Sequence, residues 1–330
     1  MRYPVKFRSL EGIELESRPL HLAIGMFDGV HLGHKSVIEA AVHSARRENG
    51  IAGVLTFWPH PSVLFRPENP TRLIMDPANK TRLFRGLGAE IVIEQPFDSE
   101  FASISAEEFV PHLVRCLPAL DSIYVGENWG FGKGRKGDVD LLLREARKRG
   151  VSVISMPRLY RNGEPISSSR IRECLIRGAI EEANSLLGYS YFLEGEVREG
   201  RGMGREIGFP TLNIPWAGDL EPLHGVYGVR VDESIEGALG APGERPSARV
   251  RSGVANFGLR PTVAEEGENA PILEVHLLDE SCPFDRGDRL FVELVFFIRP
   301  EEKFSNLDAL KIRIRNDRSD ARERFGRIGG

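Results

Sequence analysis

The sequence predicts an α/β domain built on a mostly parallel sheet, followed by an antiparallel barrel or sandwich that a charged helix closes. Three observations carry this. In the first half, apolar runs of strand length alternate with helical patterns, the signature of βαβ units. Near Leu187–Gly188 the period changes, and short strand-like pieces separated by turn signals take over, as they do in barrels and sandwiches. The chain then closes on a charged stretch, Ser305 to Phe325, with helical spacing.

The first element is the apolar run Leu20–Ile24, which ends in the glycine-rich turn Gly25–His34. A helical pattern with Val37, Ile38, Ala41 and Val42 follows, so strand, loop and helix form one unit. Ile51–Phe57 reads as a buried parallel strand, stopped by Pro59 and Pro61. Asp76 to Gly86 reads as a helix capped by Asp76, with Pro77 at its first position. Ala89–Glu94, Ser122–Val125 and Val151–Ile154 are further strands, with helices beginning at Glu107 and spanning Asp138–Gly150. In such sheets ligands bind at the carboxyl ends of the strands, where the opening turn lies.

In the second half, Tyr191–Val197, Gly228–Val231, Ala248–Val254, Leu273–Leu278 and Leu290–Phe297 are the strand candidates. Gly237–Gly243 reads as a loop. Leu307, Leu310 and Ile314 are expected to form the face of the last helix that packs on the barrel. The domain boundary falls at 186–190.

Composition narrows the partners. The length of 330 residues suits two domains of roughly 150 residues each. A net charge of −4 gives no reason to expect nucleic acid. No run approaches the roughly 18 apolar residues of a membrane span, and Met1–Pro4 begins no signal-peptide core, so a cytoplasmic protein without a membrane partner is expected. Cys116, Cys174 and Cys282 are widely separated and form no metal-binding spacing.

Four stretches of the first half carry chemistry. His31 and His34 stand where a helix begins, and a helix N-terminus with nearby glycines such as Gly25 and Gly33 suits a phosphate. Thr56–Pro61 spans the end of the strand Ile51–Phe57 and the proline-rich stop after it. Val125–Gly137 follows a strand directly, and Asn128 there can hydrogen-bond a phosphate or ribose; alone, this stretch also fits a solvated glycine-rich loop. Ile166–Arg172 is a loop entering a helix, where Ser168 and an arginine would cap the helix or hold a pyrophosphate. Capping explains Ser168 but not the two arginines.

In the second half, Gly195–Ile214 repeats glycines ahead of Arg205, a loop suited to wrapping phosphates through backbone N–H groups. Thr211 and Asn213 sit two apart on an expected strand, so both side chains face one way. Oxygen donors so placed suit Mg²⁺, which shares them with nucleotide phosphates. A glycine-rich hairpin fits the same residues.

Together these stretches resemble a known family. The turn Gly25–His34 is similar to that of the HIGH-type nucleotidyltransferases, and with Thr56–Pro61, Val125–Gly137 and Ile166–Arg172 it resembles the first module of the bacterial bifunctional riboflavin kinase/FMN adenylyltransferases. In the third stretch Gly130 precedes Phe131, where the family has an aromatic-Arg-Phe core. Gly208–Asn213 resembles the riboflavin kinase signature Gly-Phe-Pro-Thr-Ala-Asn with Leu212 for alanine. Gly225–Tyr227, Gly253–Thr262, Leu273–Leu277 and Arg299–Phe304 match further. After Leu278, the segment Asp279–Leu290 replaces the family's acidic-aromatic run.

The resemblance implies a Rossmann-like nucleotidyltransferase domain at 1–187 and a riboflavin kinase-like antiparallel barrel with a C-terminal helix at 188–330. It implies two ATP-dependent reactions, phosphorylation of riboflavin to FMN and adenylylation of FMN to FAD with release of pyrophosphate. Catalysis would rest on His31, His34, Asn128, Ser168 and Arg172 in the first and on Glu274 in the second, as the base for the ribityl hydroxyl. Gly25, Phe27, Asp28 and Gly33 would cradle one nucleotide; Gly202, Gly204, Arg205, Gly208 and Asn256 would contact ligands in the barrel, with Thr211 and Asn213 on Mg²⁺. The competing readings are an adenylyltransferase whose barrel only binds flavin, a nucleotidyltransferase of another substrate, and a non-enzymatic flavin binder. The last leaves a base at Glu274 unexplained.

Overall fold

Every residue of Leu20–Ile24 is buried, and this pentapeptide is the centre of an all-parallel six-stranded sheet. A computed structural model describes residues 5–200, 203–234, 250–259, 271–279 and 282–329. Contacts divide the chain into two units, Met1–Ser168 and Ser169–Gly330.

In the first unit the strands are β1 (Val5–Phe7), β2 (Leu20–Ile24), β3 (Ile51–Trp58), β4 (Ile91–Pro96), β5 (Leu120–Gly126) and β6 (Ser152–Met156). Their order is β1-β4-β3-β2-β5-β6. The helices are α1 (Leu32–Arg47), α2 (Pro61–Phe65), α3 (Pro77–Gly86), α4 (Ser99–Ala102), α5 (Ala106–Cys116) and α6 (Val139–Arg147). The order reverses direction at β2, with β3 on one side and β5 on the other. A ligand crevice is expected at the carboxyl ends of strands flanking such a switch point.

Sequence explains the packing. Val37, Ile38, Ala41, Val42 and Ala45 form the buried stripe of α1. Asp76 caps α3, accepting from the backbone N–H groups of Ala78 and Asn79. Leu22, Ile24, Leu55, Ile93, Ile123 and Val125 join Phe109, Val110 and Leu113 of α5 and Leu142 and Ala146 of α6 in one apolar core. Burying a side chain of that size contributes about 1.5–3 kcal/mol.

A two-stranded ribbon, β7 (Tyr160–Arg161) and β8 (Glu164–Pro165), precedes α7 (Ser168–Ile176) and α8 (Ile180–Leu187). The second unit continues with β9 (Tyr191–Glu196), α9 (Met203–Glu206), β10 (Leu212–Pro215), β11 (Gly225–Asp232), β12 (Arg251–Leu259), β13 (Pro271–Leu277), β14 (Arg289–Pro300) and α10 (Leu307–Gly329). Its antiparallel sheet has the order β10-β13-β12-β11-β14-β9. The terminal strands meet: Arg198 N–H donates to the Asn213 carbonyl at 2.8 Å. Gly195 lies so close to β10 that a Cβ there would stand 2.4 Å from Ile214. The sheet is therefore a nearly closed barrel, not a sandwich. Ile214, Tyr227, Val229, Ala255, Phe257, Leu273, Val275 and Leu294 are fully buried.

Two expectations need correction here. Leu307 is 56% exposed, and the barrel-facing side of α10 is carried by Ala321, Phe325 and Ile328, packed on Val226, Val254 and Phe296. Midway along α10 the anchor is polar: buried Asp317 accepts from Arg299 Nη2 at 2.8 Å and Nε at 3.0 Å. Thr211 also lies just ahead of β10, outside the ladder.

Candidate active sites

In the first unit, the turn after β2 is held in an unusual conformation. Phe27, Gly29 and Val30 have φ values of 50°, 76° and 37°. Two of these are non-glycine residues in the left-handed region, one of them β-branched, which is costly unless surrounding structure enforces it. The enforcement is visible. The Asp28 carboxylate accepts from Ile74 N–H at 3.1 and 3.2 Å, and Ser168 Oγ donates to the Asp28 carbonyl at 2.9 Å.

The turn delivers both histidines to the start of α1. His31 is its N-cap, its Nδ1 accepting from His34 N–H at 3.3 Å. The two rings stack with centroids 3.5 Å apart and 18° between planes. His34 meets the edge of Phe27 at 5.3 Å. A Cβ on Gly33 would crowd the His31 ring at 3.2 Å, and one on Gly25 would stand 2.9 Å from Phe27.

The histidines open onto a cavity of about 700 Å³. Gly25, Phe27, His31, Gly33, His34 and Asn128 all line it, along with His60 and Arg158. Aromatic rings line it as well: Phe97 stacks edge-on with Phe57 and Phe101 near 6 Å, and Trp129 lies flat on Phe131 at 4.9 Å. With its amide oriented to satisfy both groups, Asn128 Oδ1 accepts from Arg158 Nη2 at 3.0 Å and Nε at 3.2 Å. Lys133, Arg135 and Lys136 are exposed.

In the second unit the site is a row across strands. Asn213 of β10 pairs with Glu274 of β13, and Glu274 pairs with Asn256 of β12. Directly paired residues share a face, and alternation puts this row outside the barrel core, since Leu273 and Val275 flank Glu274 inside it. The glycine-rich segment covers one end of the row. A Cβ on Gly200 would stand 2.2 Å from the Asn213 amide, and one on Gly204 would stand 3.2 Å from Thr211 Oγ1. Gly208, at φ 88°, lets the chain leave α9 and turn toward β10. Asn256 Nδ2 donates to Glu301 at 3.4 Å. His276 Nδ1 donates to the Pro210 carbonyl at 2.8 Å, and burial pushes its imidazole below the usual histidine value. Arg205 lies within α9; Gly202 lies outside the described residues.

Residues 14–170 match the family model described as FAD synthetase, and residues 187–325 match that described as riboflavin kinase. A bifunctional riboflavin kinase/FMN adenylyltransferase of Escherichia coli strain K12 is 36% identical over 305 residues, covering 92% of each chain. Its counterpart from Bacillus subtilis strain 168 is 34% identical over 310 residues, covering 93% of each. The chain belongs to this bifunctional family. It is an ATP-dependent enzyme of flavin cofactor synthesis, making FMN from riboflavin and FAD from FMN. The fold also matches a crystal structure from Streptococcus pneumoniae titled a macrolide-efflux protein, with a TM-score of 0.82 and 26% identity over 97% of this chain and 99% of that one. Among the described residues, no helix is long and apolar enough to cross a membrane.

Set on this family frame, the expected residues fall into groups. His31, His34 and Asn128 share one cavity, and Ser168 is tied to the turn through Asp28. Arg172 is half-buried on α7, in the second unit. Of the two arginines that capping left unexplained, Arg170 pairs with Glu182 of α8 at 2.8 Å, a structural role. Asn213, Glu274 and Asn256 form one row, with Thr211 and Gly204 at its end. The segment replacing the family's acidic-aromatic run packs beside the glycine-rich loop: Val197 N–H donates to the Asp288 carbonyl at 2.9 Å, and Arg286 pairs with Glu199 at 2.6 Å. The sequence reading missed Arg158, Phe97 and Phe101. No local pattern marked the two phenylalanines, one ahead of α4 and one within it, as a shared wall.

Proposed function

We propose that the first unit carries adenylyl transfer at the start of α1 and that the barrel carries riboflavin phosphorylation along the Asn213–Glu274–Asn256 row. The observation supporting the first assignment is the pair of stacked histidines at a helix N-terminus, opening onto a cavity also lined by aromatic rings. ATP phosphates would lie at the α1 N-terminus, where the helix dipole favours anions. His31 and His34 would stabilise charge moving onto the leaving oxygen. The isoalloxazine would lie against Trp129 and the phenylalanines, with its phosphate directed toward Asn128. Ser168 and Arg172 would hold the leaving pyrophosphate. Such a reaction asks the protein for positioning and charge neutralisation more than for bond chemistry.

In the barrel, Glu274 would take the proton from the ribityl hydroxyl as it attacks the γ-phosphate, acting as general base. Gly204, Arg205 and Gly208 would wrap the ATP phosphates, and Asn256 would orient the flavin chain. The residues fit a divalent cation: Thr211 and Asn213 offer hard oxygen donors, and Gly200, where a Cβ would stand 2.2 Å from the Asn213 amide, lets the glycine-rich backbone close on that side chain. Thr211 and Asn213 would therefore hold Mg²⁺, which would supply positive charge against the ATP phosphates. We assign residues 1–187 to adenylylation and 188–330 to phosphorylation, and place the enzyme in the cytoplasm, where ATP is supplied. Its partners are riboflavin, FMN and ATP, with no nucleic acid.

Incubation with riboflavin, ATP and Mg²⁺, followed by chromatography of FMN and FAD, tests the assignment in paired variants. Thr211→Ala should raise the Mg²⁺ concentration needed for FMN formation and leave conversion of supplied FMN to FAD unchanged. An unchanged Mg²⁺ requirement for FMN formation would remove Thr211 from the metal site.

A further inference from the structure

Lys80 is 5% exposed, and a buried ammonium is expensive unless something uses it. Its Nζ donates to Thr56 Oγ1 at 3.0 Å and to the Met26 carbonyl at 3.3 Å. Thr56 Oγ1 in turn donates to the same Met26 carbonyl at 3.1 Å, so the three groups form a closed triangle. Met26 opens the turn whose left-handed residues Phe27, Gly29 and Val30 lead into His31. The rest of the 74–84 segment grips the same turn: Ile74 N–H holds the Asp28 carboxylate, and Phe84 packs on Phe27 at 5.7 Å. Lys80 adds a cationic side chain to these grips.

We propose that Lys80 is a positioning residue for adenylyl transfer, its buried ammonium clamping the Met26 carbonyl and thereby holding the turn that aims His31 and His34. This rests on the reading of that turn as the adenylylation site. Lys80 does not line the cavity and touches no reacting group, so it acts through the backbone. A displacement of about 1 Å at a reacting centre can cost on the order of a hundredfold in rate, which is why a strained turn needs such a clamp.

The clamp titrates. Burial pushes the Lys80 ammonium down to about 8 from the ordinary 10.5; the carboxylates of Asp28 and Glu94 oppose that fall, and Lys6, itself paired with Glu94 at 3.0 Å, reinforces it. Above about pH 8 the amine keeps donors but loses its charge against the Met26 carbonyl, and the turn loosens. Stability runs the other way. With the folded value below the unfolded one, the unfolded chain holds the proton more tightly between about pH 8 and 10.5, so stability gains from this group as pH rises. A purely structural lysine would leave activity following stability; a positioning lysine makes them diverge.

The test measures both reactions on the full chain from pH 6.5 to 9.5, supplying FMN for one and riboflavin for the other. Adenylylation kcat should fall through about pH 8 while the thermal melt does not fall and phosphorylation does not follow. Lys80→Met should lower adenylylation kcat about tenfold or more at pH 7, flatten the alkaline fall, and leave FMN formation unchanged. Thr56→Val, which keeps shape and removes the bridging hydroxyl, should lose part of the same rate and shift the alkaline fall, even if Lys80→Met does not fold. Wild-type kcat in either variant, or an intact alkaline fall in folded Lys80→Met, overturns the proposal. His31→Ala separates the two levels: if it is inactive while Lys80→Met is fully active, Lys80 alone is rejected. If His31→Ala is fully active, the reading of the turn fails and Lys80 falls with it.

Discussion

The two proposed sites are built by opposite devices. In the first unit a loop at the carboxyl end of a parallel strand carries His31 and His34 to a helix terminus, where the proposed anion site lies. In the barrel, residues some sixty positions apart, such as Asn213 and Glu274, are aligned by cross-strand register. The first device depends on a strained turn staying locked. The second depends on pairing, since a slip of one residue would send Glu274 into the barrel core and Val275 out of it. A loop site should therefore fail by loosening and a register site by losing one chemical group. Variants in each unit can be scored against the other reaction of the same chain as an internal control.

The largest effect is expected in the barrel. Glu274→Gln keeps size and strand pairing and removes only the base, so FMN formation should fall by about 10²–10⁴-fold. Conversion of supplied FMN to FAD should be unaffected. Unchanged FMN formation would sink Glu274 as base.

His31→Ala should come next, lowering adenylylation by about a hundredfold or more while phosphorylation continues. Part of its effect passes through geometry, because His31 both caps α1 and stacks on His34. His31→Asn, which restores a cap without an imidazole, tells these apart. Recovery of the wild-type rate would reduce His31 to a cap.

Each unit also buries a group pushed toward neutrality, and the two give opposite slopes with pH. Lys80 adds stability as pH rises above about 8. Glu293 of β14, 5% exposed, is pushed up to about 7 by burial, against the pull of Arg230 directly across the ladder. An acid raised in the folded state contributes stability fully below its unfolded value near 4.5 and loses it as pH passes 7. Melting temperature should therefore decline between about pH 4.5 and 7, and Glu293→Gln, neutral throughout, should flatten that decline. A decline of equal size in the variant would show that another group carries it.

How much of this was legible in the sequence follows the same division. The strand-turn-helix at Leu20–His43 could be read directly, because period, glycines and histidines lie in one stretch. The Asp76 cap and the helix it starts were equally local. The barrel strands were legible individually, but their order and the choice of barrel over sandwich came from long-range pairing, which no local pattern encodes. Glu274 rested on family resemblance; the row joining it to Asn213 and Asn256 needed the register. Lys80 looked like any polar helix residue, and its burial came from the turn docked against α3. Leu307 misled because helical spacing shows that a helix has an apolar face, not which turn of it meets the barrel.

The smallest effect probes the aromatic lining of the first cavity, the part that no motif announced. Trp129 stacks on Phe131 at 4.9 Å with planes 14° apart, and both touch Phe109, so its ring is held flat before any ligand arrives. A preformed aromatic face of this kind contributes about 0.5–1.5 kcal/mol beyond area burial, or roughly two- to tenfold in binding. Trp129→Ala should therefore raise KM for FMN in adenylylation by that factor with little change in kcat, the pattern of an interaction made equally before and during reaction. Trp129→Phe should recover most of it, and KM for riboflavin in phosphorylation should stay constant. If kcat falls instead and KM holds, Trp129 supports the Asn128 loop and leaves the flavin to the phenylalanine wall, and the loop site would then resemble the barrel in binding its ligand with one element and doing chemistry with another.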